Sequence, residues 1–584
     1  MSLRVAGSIA AASLRTTEVS MAVATANIAN SDTDGYTRKT AAQTSRNIAV
    51  PYATGVDVSS VTSVVDQYLL KTLVGTASDV GYTGTMSATL DLLQQRLGST
   101  DGSGGTGIAD AIDDLSDSLA TLATSPESDS AKAAVVDDVG AMAESLRDLS
   151  STVQDLRAQA DEDIADTVDR INETLTTLDS LNDQIVRAKG LGQNTGDLED
   201  QRNTALQTLA ADIDVRYQTD GNGRMRISTS GGTALLDSAV HSLSYTPAAS
   251  VSAATVYSAT GTSGFSAISV GGKDITGSLT SGTLAALVDL RDDALPNQQA
   301  RLDELATTLK DALNAAANAG STVPAPPSLT SAGAVSATDS LSGTGTLRLA
   351  VTNSDGTAAD VTDIDLSGLS TVQDLMDAIN ATGTATAAIG SDGRLTIAAT
   401  DSDTGIALGG DTSVGSGGVG LSAFFGFNDI LTGSGAGDLR VSQTLLDDSS
   451  RLPTAVLSTA AGLGAGDTAL TTGDATTATA LGAVLSGTLS FDTAGGLSGR
   501  TATVAGYAAD IIQGIATAAS TADTAADSAS AYADSLTTTF TSQSGVNVDE
   551  ETATISSLQS AYESAAAVME VLQEMFETAL SMLK

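Results

Sequence analysis

The sequence predicts an α+β, multidomain fold: an α-helical coiled coil built from the two chain ends, a long-helix bundle, and β-rich outer structure inserted between them. Three observations carry this reading. Apolar residues recur at helical spacing at both extremities, one interior stretch keeps a helical stripe without a proline, and the alternating strand patterns are confined to the middle of the chain.

At the N-terminus Val5, Ile9, Ala12, Thr16, Val19, Val23 and Ala26 follow steps of four and three, the signature of a helical seam. At the other end Leu558, Ala561, Ala565, Val568, Leu572, Met575, Ala579 and Met582 repeat that spacing, with Ile555, Tyr562, Met569, Phe576 and Leu583 along the adjacent row. Two seams of matching period at opposite ends of a chain predict partners in a coiled coil. The face expected to drive assembly comprises Val5, Ile9, Val19, Leu558, Ala565, Val568, Leu572, Met575 and Phe576. A lone helix of this kind leaves its stripe in water, so the ends are expected to complete their folding against neighbours.

From Val135 to Ile185 apolar residues mark every turn with only Gly140 as an interruption, which predicts one continuous helix of ~75 Å at ~1.5 Å per residue. Leu302, Leu305, Leu309 and Leu313 place another helix within 284–317, broken at Pro296, and an Ala-rich third lies near 507–540. Segment 214–229, DVRYQTDGNGRMRIST, alternates around a Gly-rich turn and predicts a hairpin. Segments 345–356, 370–381 and 393–400 read as strand, helix and strand, after a Pro-rich joint, VPAPPS, at 323–328. The Gly/Ala/Thr/Ser-rich stretch 455–500 is expected to be loosely specified β structure or a long loop.

Composition removes several function classes. The chain has 584 residues, room for about four domains. With 27 basic against 70 acidic residues its net charge is −43, which repels phosphate backbones and anionic lipid headgroups, so neither nucleic acid nor membrane insertion is expected. Assembly must then be driven by apolar surface that overcomes this repulsion. The absence of cysteine and the single histidine, His241, exclude disulfides, thiolate metal sites and a cysteine nucleophile. No run of ~18 apolar residues occurs, and the first twenty lack the apolar core of a cleaved export signal.

The most distinctive short stretch is NIANSDTDGYTRKT, residues 27–40. Asn27, Asn30 and Thr33 can hydrogen-bond helix-end backbone groups, Gly35 permits a sharp bend, and Tyr36 can anchor on apolar surface. Acidic runs such as Asp161–Asp163 and Asp549–Glu551 lack the spacing of a calcium loop and read as solvated faces, the second also favouring a helix start. GGTGIAD (104–110) and GLGAGD (462–467) lack the flanks of a phosphate loop and read as flexible loops, and His241 reads as a surface or turn residue. No catalytic residue, metal site or cofactor is expected, and the chain does not read as an enzyme.

Asn27, Ile28, Ala29, Asn30, Thr33, Gly35, Tyr36 and Arg38 resemble the N-terminal motif of the bacterial flagellar axial proteins, and SGVNVDEE (544–551) with the helical segment after it resembles their C-terminal signature. Interior stretches 197–227, 282–309 and 422–431 are similar to one junction-forming member of that family. Residues 345–400 more weakly resemble a small module of its surface domains, with Ile379 and Asn380 at the helix end. Asp34 stands where family members often carry proline, which implies a softer turn. The resemblance implies a structural adaptor joining hook to filament, exported to the flagellum outside the cell by the type III apparatus. Implied partners are the hook subunit, a second junction protein, other copies of the chain and an export chaperone. It also implies three parts: 1–50 with 545–584 as a terminal coiled-coil domain, 51–325 with 436–544 as a long-helix bundle with hairpins, and 326–435 as an inserted β-rich domain. A bulk-polymerising hook or filament subunit is the alternative, and a secreted hydrolase built on flagellar-type ends is the alternative from another class.

Overall fold

The computed structural model describes residues 3–47, 54–97, 107–260 and 264–582. Leu583, the last member of the C-terminal row, and residues 104–106 of the first glycine-rich stretch lie outside the described residues. The chain divides into two compact units, one of residues 1–89, 158–292 and 520–584, the other of residues 90–157 and 293–519.

The first unit opens with helix α1 (Leu3–Ala29), followed by an antiparallel ribbon of β1 (Lys39–Asn47) and β2 (Thr54–Ser63) that the sequence reading missed. Its strands have no clean alternation of burial, because the ribbon lies along α1, where the Thr16 hydroxyl donates to the Val56 carbonyl at 3.2 Å. Helix α2 (Gln67–Leu97) comes next, then α3 (Ile108–Thr124) in the second unit. The continuous helix read from the sequence is α4 (Asp129–Gly190), 62 residues long. Along its stripe Val135, Met142, Leu146, Val153, Ile164 and Ile185 are buried, and Leu149 is half-buried.

Within the first unit α4 packs with α5 (Gly196–Asp212) and the expected hairpin, β3 (Val215–Thr219) with β4 (Met225–Thr229), which β5 (Ala234–Leu236) extends. Buried Asn182 of α4 fixes the hairpin by exchanging two bonds with Met225, from its Nδ2 to the carbonyl at 2.8 Å and from the amide to its Oδ1 at 2.9 Å. Three short strands, β6 (Leu243–Ser244), β7 (Ser269–Val270) and β8 (Lys273–Asp274), precede α6 (Thr283–Asp289). Asp161 departs from the solvated-face reading of its run. It is buried, accepts from Arg291 Nη1 at 3.2 Å, from the Ala248 amide at 2.7 Å and from the Tyr245 hydroxyl, and so neutralises a guanidinium that is itself fully buried against the Phe265 ring. Tandem acids hide such a role, because only the one facing inward meets a cation.

After α6 a π turn at Leu290–Ala294 leads into α7 (Leu295–Asn318), which carries Pro296 in its first turn, so the expected break at Pro296 takes the form of a widened turn followed by a new helix start. The region after the Pro-rich joint forms two three-stranded antiparallel sheets. One has order β11 (Ala358–Asp365), β10 (Thr344–Thr352), β14 (Gly405–Ser413), and the other β12 (Ala385–Ile389), β13 (Arg394–Ala399), β9 (Ser328–Ala334). With α8 (Val372–Asn380) and α9 (Leu421–Phe425) they enclose one apolar cluster that includes Leu349, Leu375, Ile379, Leu395, Ile397 and Phe425. The α8 start is a full capping box between Thr371 and Asp374.

Beyond β15 (Leu431–Thr432), β16 (Arg440–Val441) and α10 (Gln443–Asp447), stretch 455–500 corrects the expectation of loose β structure. It holds α11 (Thr476–Ser486), which packs on α3 and α7 through Ala478, Leu481 and Leu485, and then β17 (Leu489–Phe491), paired with β18 (Arg500–Ala502). Apolar steps of three and four were present there, but the surrounding glycines and threonines obscured them. GLGAGD is a turn in which Gly462 and Gly466 take positive φ. Helices α12 (Val504–Ser544) and α13 (Val548–Ser581) complete the chain. No described helix is long and apolar enough to cross a membrane.

Candidate assembly site at the paired termini

Helices α1 and α13 pack against each other, as the matching seams predict. Val5 and Ile9 of the expected face are half-buried, whereas Val19 is exposed. On α13 Leu558, Ala565 and Leu572 are half-buried, while Val568, Met575 and Phe576 stay exposed together with Val571 and Leu580. Burial along α13 is shallow, since Val568 and Val571 keep 51% and 55% of their surface in water. The pair therefore satisfies only part of its apolar stripe internally.

The 27–40 stretch is the joint that ends α1 and aims the chain into β1. Asn30 Nδ2 donates to the Ala26 carbonyl at 2.9 Å, closing the last turn, and Thr33 Oγ1 reaches Asn30 Oδ1 at 3.4 Å. Asn27 is fully buried and spans the bend. Its Nδ2 donates to the Lys39 carbonyl at 2.9 Å, and its Oδ1 accepts from the Lys39 amide and the Tyr36 hydroxyl, both at 3.0 Å. Gly35 sits at φ 76°, where a Cβ would come within 2.6 Å of Thr204 Oγ1, so the turn is kept with Asp34 in place of proline.

The ring of Tyr36 is engaged by a cation. The Lys39 ammonium lies 3.7 Å from the ring centroid, and the hydroxyl is spent on Asn27. Its pKa is pushed up to about 12, first by burial and then by the carboxylates of Asp197, Asp200 and Glu551, so the phenol remains an O–H donor at neutral pH. Asp200 of α5 anchors the next step of chain, accepting from the Thr37 amide at 2.9 Å, from its hydroxyl at 2.6 Å and from Lys39 Nζ. Burial is the main influence on its carboxyl and raises its pKa. The motif thus fastens the foot of α1 to α5, a link that no spacing within 27–40 could reveal.

Arg38 makes the second fastening. Its Nε donates to Glu551 Oε1 at 2.7 Å, its Nη1 lies 3.7 Å from Glu550, and its amide donates to the Ser544 carbonyl at 2.8 Å. Glu551 has a side chain only 3% exposed, which corrects the reading of Asp549–Glu551 as a solvated run. Asp549 and Glu550 do face water, and the α13 start is capped by Asn547, whose side chain accepts from both of their amides. His241 is half-buried, with Nε2 3.2 Å from Asp237. Among the described residues no group of three His, Asp or Glu side chains is placed to hold a metal.

The chain thus pairs its terminal helices and fastens them to its body through a charged joint, and comparison with known proteins bears out the resemblance of its end motifs to the flagellar axial class. Residues 95–326 match the model of the flagellar hook-associated protein FlgK helical domain, and residues 538–582 match that of the flagellar basal body rod FlgEFG protein C-terminal region. Within the class the likeness is to flagellar hook-associated protein 1. The chain is 25% identical to that protein of Bacillus subtilis over 222 residues, covering 36% of this chain and 43% of the relative. It is also 25% identical to that of Escherichia coli over 315 residues, covering 53% and 56%. The chain thus spans about half the length of the curated relatives it matches. A solved structure of the flagellar hook junction protein FlgK from Burkholderia pseudomallei aligns over 80% of this chain and 99% of its own, with TM-score 0.47 and 18% identity.

Proposed function

We propose that this chain is a structural adaptor that joins the flagellar hook to its filament, taking its place in the tube through the paired terminal helices. The observation that carries this is the apolar row left open on α13, where Val568, Val571, Met575, Phe576 and Leu580 face water beside α1. Such a row on a subunit with 70 acidic residues has no use in an isolated molecule, and burying ~500 Å2 of it against neighbours yields ~12 kcal/mol gross before ordering costs. Subunits related by a screw operation bury it repeatedly through contacts that never close.

The same reading assigns the remaining partners and parts. The hook subunit lies on one side, a second junction protein on the other, with copies of the chain between them and an export chaperone before assembly. The site of action is the flagellum outside the cell. Residues 326–435 act as an outer module, a role consistent with their own apolar cluster, while 1–50 with 545–584 form the inner layer and 51–325 with 436–544 the body. The chain acts without catalysis.

The test is complementation. In a strain lacking this protein, the Val568→Asp/Phe576→Asp variant is expected to be made and folded but to leave hooks without filaments. Full filament growth from that variant overturns the proposal. Long tubes formed by the purified wild-type chain alone would favour the bulk-subunit alternative.

A further inference from the structure

The most unusual surface of the first unit lies away from the paired termini. The β3–β4 register sets Arg216 opposite Ser228 and Gln218 opposite Arg226, so these four side chains share one face of the sheet, while Val215, Met225, Ile227 and Thr229 are buried on the other. The early part of α2 brings Lys71, Val74 and Gly75 beside that face, and together they line a cleft of about 530 Å3. Three cations meet there in a chain with only 27. Among the described residues none of the three has a carboxylate at ion-pair distance. The single acid of the cleft, Asp237, is already engaged by the amides of Ala239 and Ser238 and by His241.

The same unit carries the opposite arrangement elsewhere. Glu162, Asp166, Asp169 and Glu173 follow steps of four, three and four along α4, a ridge about 16 Å long whose members are all exposed. The basic side chain within it, Arg170, is committed to Asp212, with bonds of 2.7 to 3.2 Å. Asp163 beside the ridge has its carboxyl held above the ordinary range, first by burial and then by Asp166 and Glu162, which marks the local excess of negative charge. No ridge residue lines the cleft of its own copy.

We propose that the cleft of Lys71, Arg216 and Arg226 is a carboxylate-binding site that receives the Glu162–Asp166–Asp169–Glu173 ridge of a neighbouring copy of this chain. This rests on the reading of the chain as a self-contacting subunit and adds a second, electrostatic contact to the apolar one. Complementary patches at different places on one molecule make a head-to-tail contact, the kind that propagates along a helical array. It gives copies that repel one another by net charge a local attraction that fixes register.

Self-association of the full-length chain by analytical ultracentrifugation tests this. Lys71→Glu/Arg216→Glu/Arg226→Glu and Glu162→Lys/Asp166→Lys/Asp169→Lys are each expected to weaken association at least about ten-fold at low salt, since three partly exposed pairs are lost and replaced by repulsion. Mixing the two variants re-creates opposite charges across the contact and is expected to restore association. The difference between each charge variant and the wild type is also expected to shrink as salt rises, because screening removes the local attraction that the variants abolish. If Val568→Asp/Phe576→Asp abolishes association while both charge variants behave as wild type, the cleft proposal is overturned and the adaptor reading stands. If the cleft variant weakens association but the ridge variant or the mixture does not follow, the ridge is not the occupant and the proposal fails. A wild-type chain that never self-associates overturns the cleft proposal together with the self-contact on which it rests.

Discussion

Removing Arg38 is the sharpest perturbation of the terminal joint. In Arg38→Ala the Glu551 carboxylate, 3% exposed, loses a charge-assisted bond of 2.7 Å, while the 3.7 Å approach to Glu550 contributes little because that acid is 63% exposed. A fully buried pair broken on one side costs ~3–5 kcal/mol. Here Arg38 keeps 32% of its side chain in water, so solvent can enter the vacated space, and about 1–3 kcal/mol is the better expectation. The backbone bond from residue 38 to Ser544 survives, so the loss is local to the start of α13. Hydrogen exchange of the full chain is the assay. Amides of residues 551–560 are expected to exchange about 5- to 150-fold faster in Arg38→Ala, with residues 372–380 unchanged. Replacing both partners, as Arg38→Met with Glu551→Leu, should recover most of the protection, because no charge is then left buried. Unchanged exchange in the single variant would show that the pair does not hold the helix base, and failure of the double variant to recover would show that charge is not the reason.

Other consequences follow from single features. Gly35→Ala forces a Cβ to a φ of 76° and within 2.6 Å of Thr204 Oγ1, and should lower stability by about 1–3 kcal/mol in urea melts of the full chain. Thr371→Ala removes half of the α8 capping box and should cost about 1 kcal/mol, read as a lower midpoint for the cluster around Leu375 and Ile379. Leu572→Asp strikes a half-buried position and should reduce both self-association and the helix signal of α13, whereas Val568→Asp should affect association alone, a contrast that circular dichroism with ultracentrifugation resolves. Acidification should weaken the β9–β14 region. Asp363, held down by its bonds to Arg348, and Asp374, held down by the Ser370 and Thr371 amides, both lie below the ordinary carboxylate range. Folded-state values below unfolded ones contribute stability that is present above pH ~3.9 and lost as pH falls through the folded values. Asp363→Asn and Asp374→Asn should flatten that loss of thermal stability.

Where a single period dominates, the sequence sufficed. The α4 stripe, the two terminal seams and the Gly-rich turn of β3–β4 are each visible because apolar spacing is set by local geometry. The β1–β2 ribbon was not visible, since its residues are mostly small and polar and it is stabilised by lying on α1. Helix α11 was concealed by composition, although its Leu481 is fully buried and its Leu485 nearly so. At the candidate site the residues of 27–40 could be picked out, but not what they touch. The partners of Thr37 and Lys39 lie on α5 and that of Arg38 on α13, and nothing in a linear reading distinguishes Glu551 from its exposed neighbours Asp549 and Glu550. Long-range charge pairing leaves no periodic trace, so the inward-facing acids Asp161 and Glu551 were read with their runs.

The Arg38–Glu551 bond joins residues 513 positions apart, almost the length of the polypeptide. The link therefore cannot form until the first turn of α13 has been made, and a chain that stops or is cut before residue 551 leaves Arg38 without this counter-ion. The joint thus ties the base of the first helix to a residue made 513 positions later, so the two ends of the unit can be braced only after most of the chain exists.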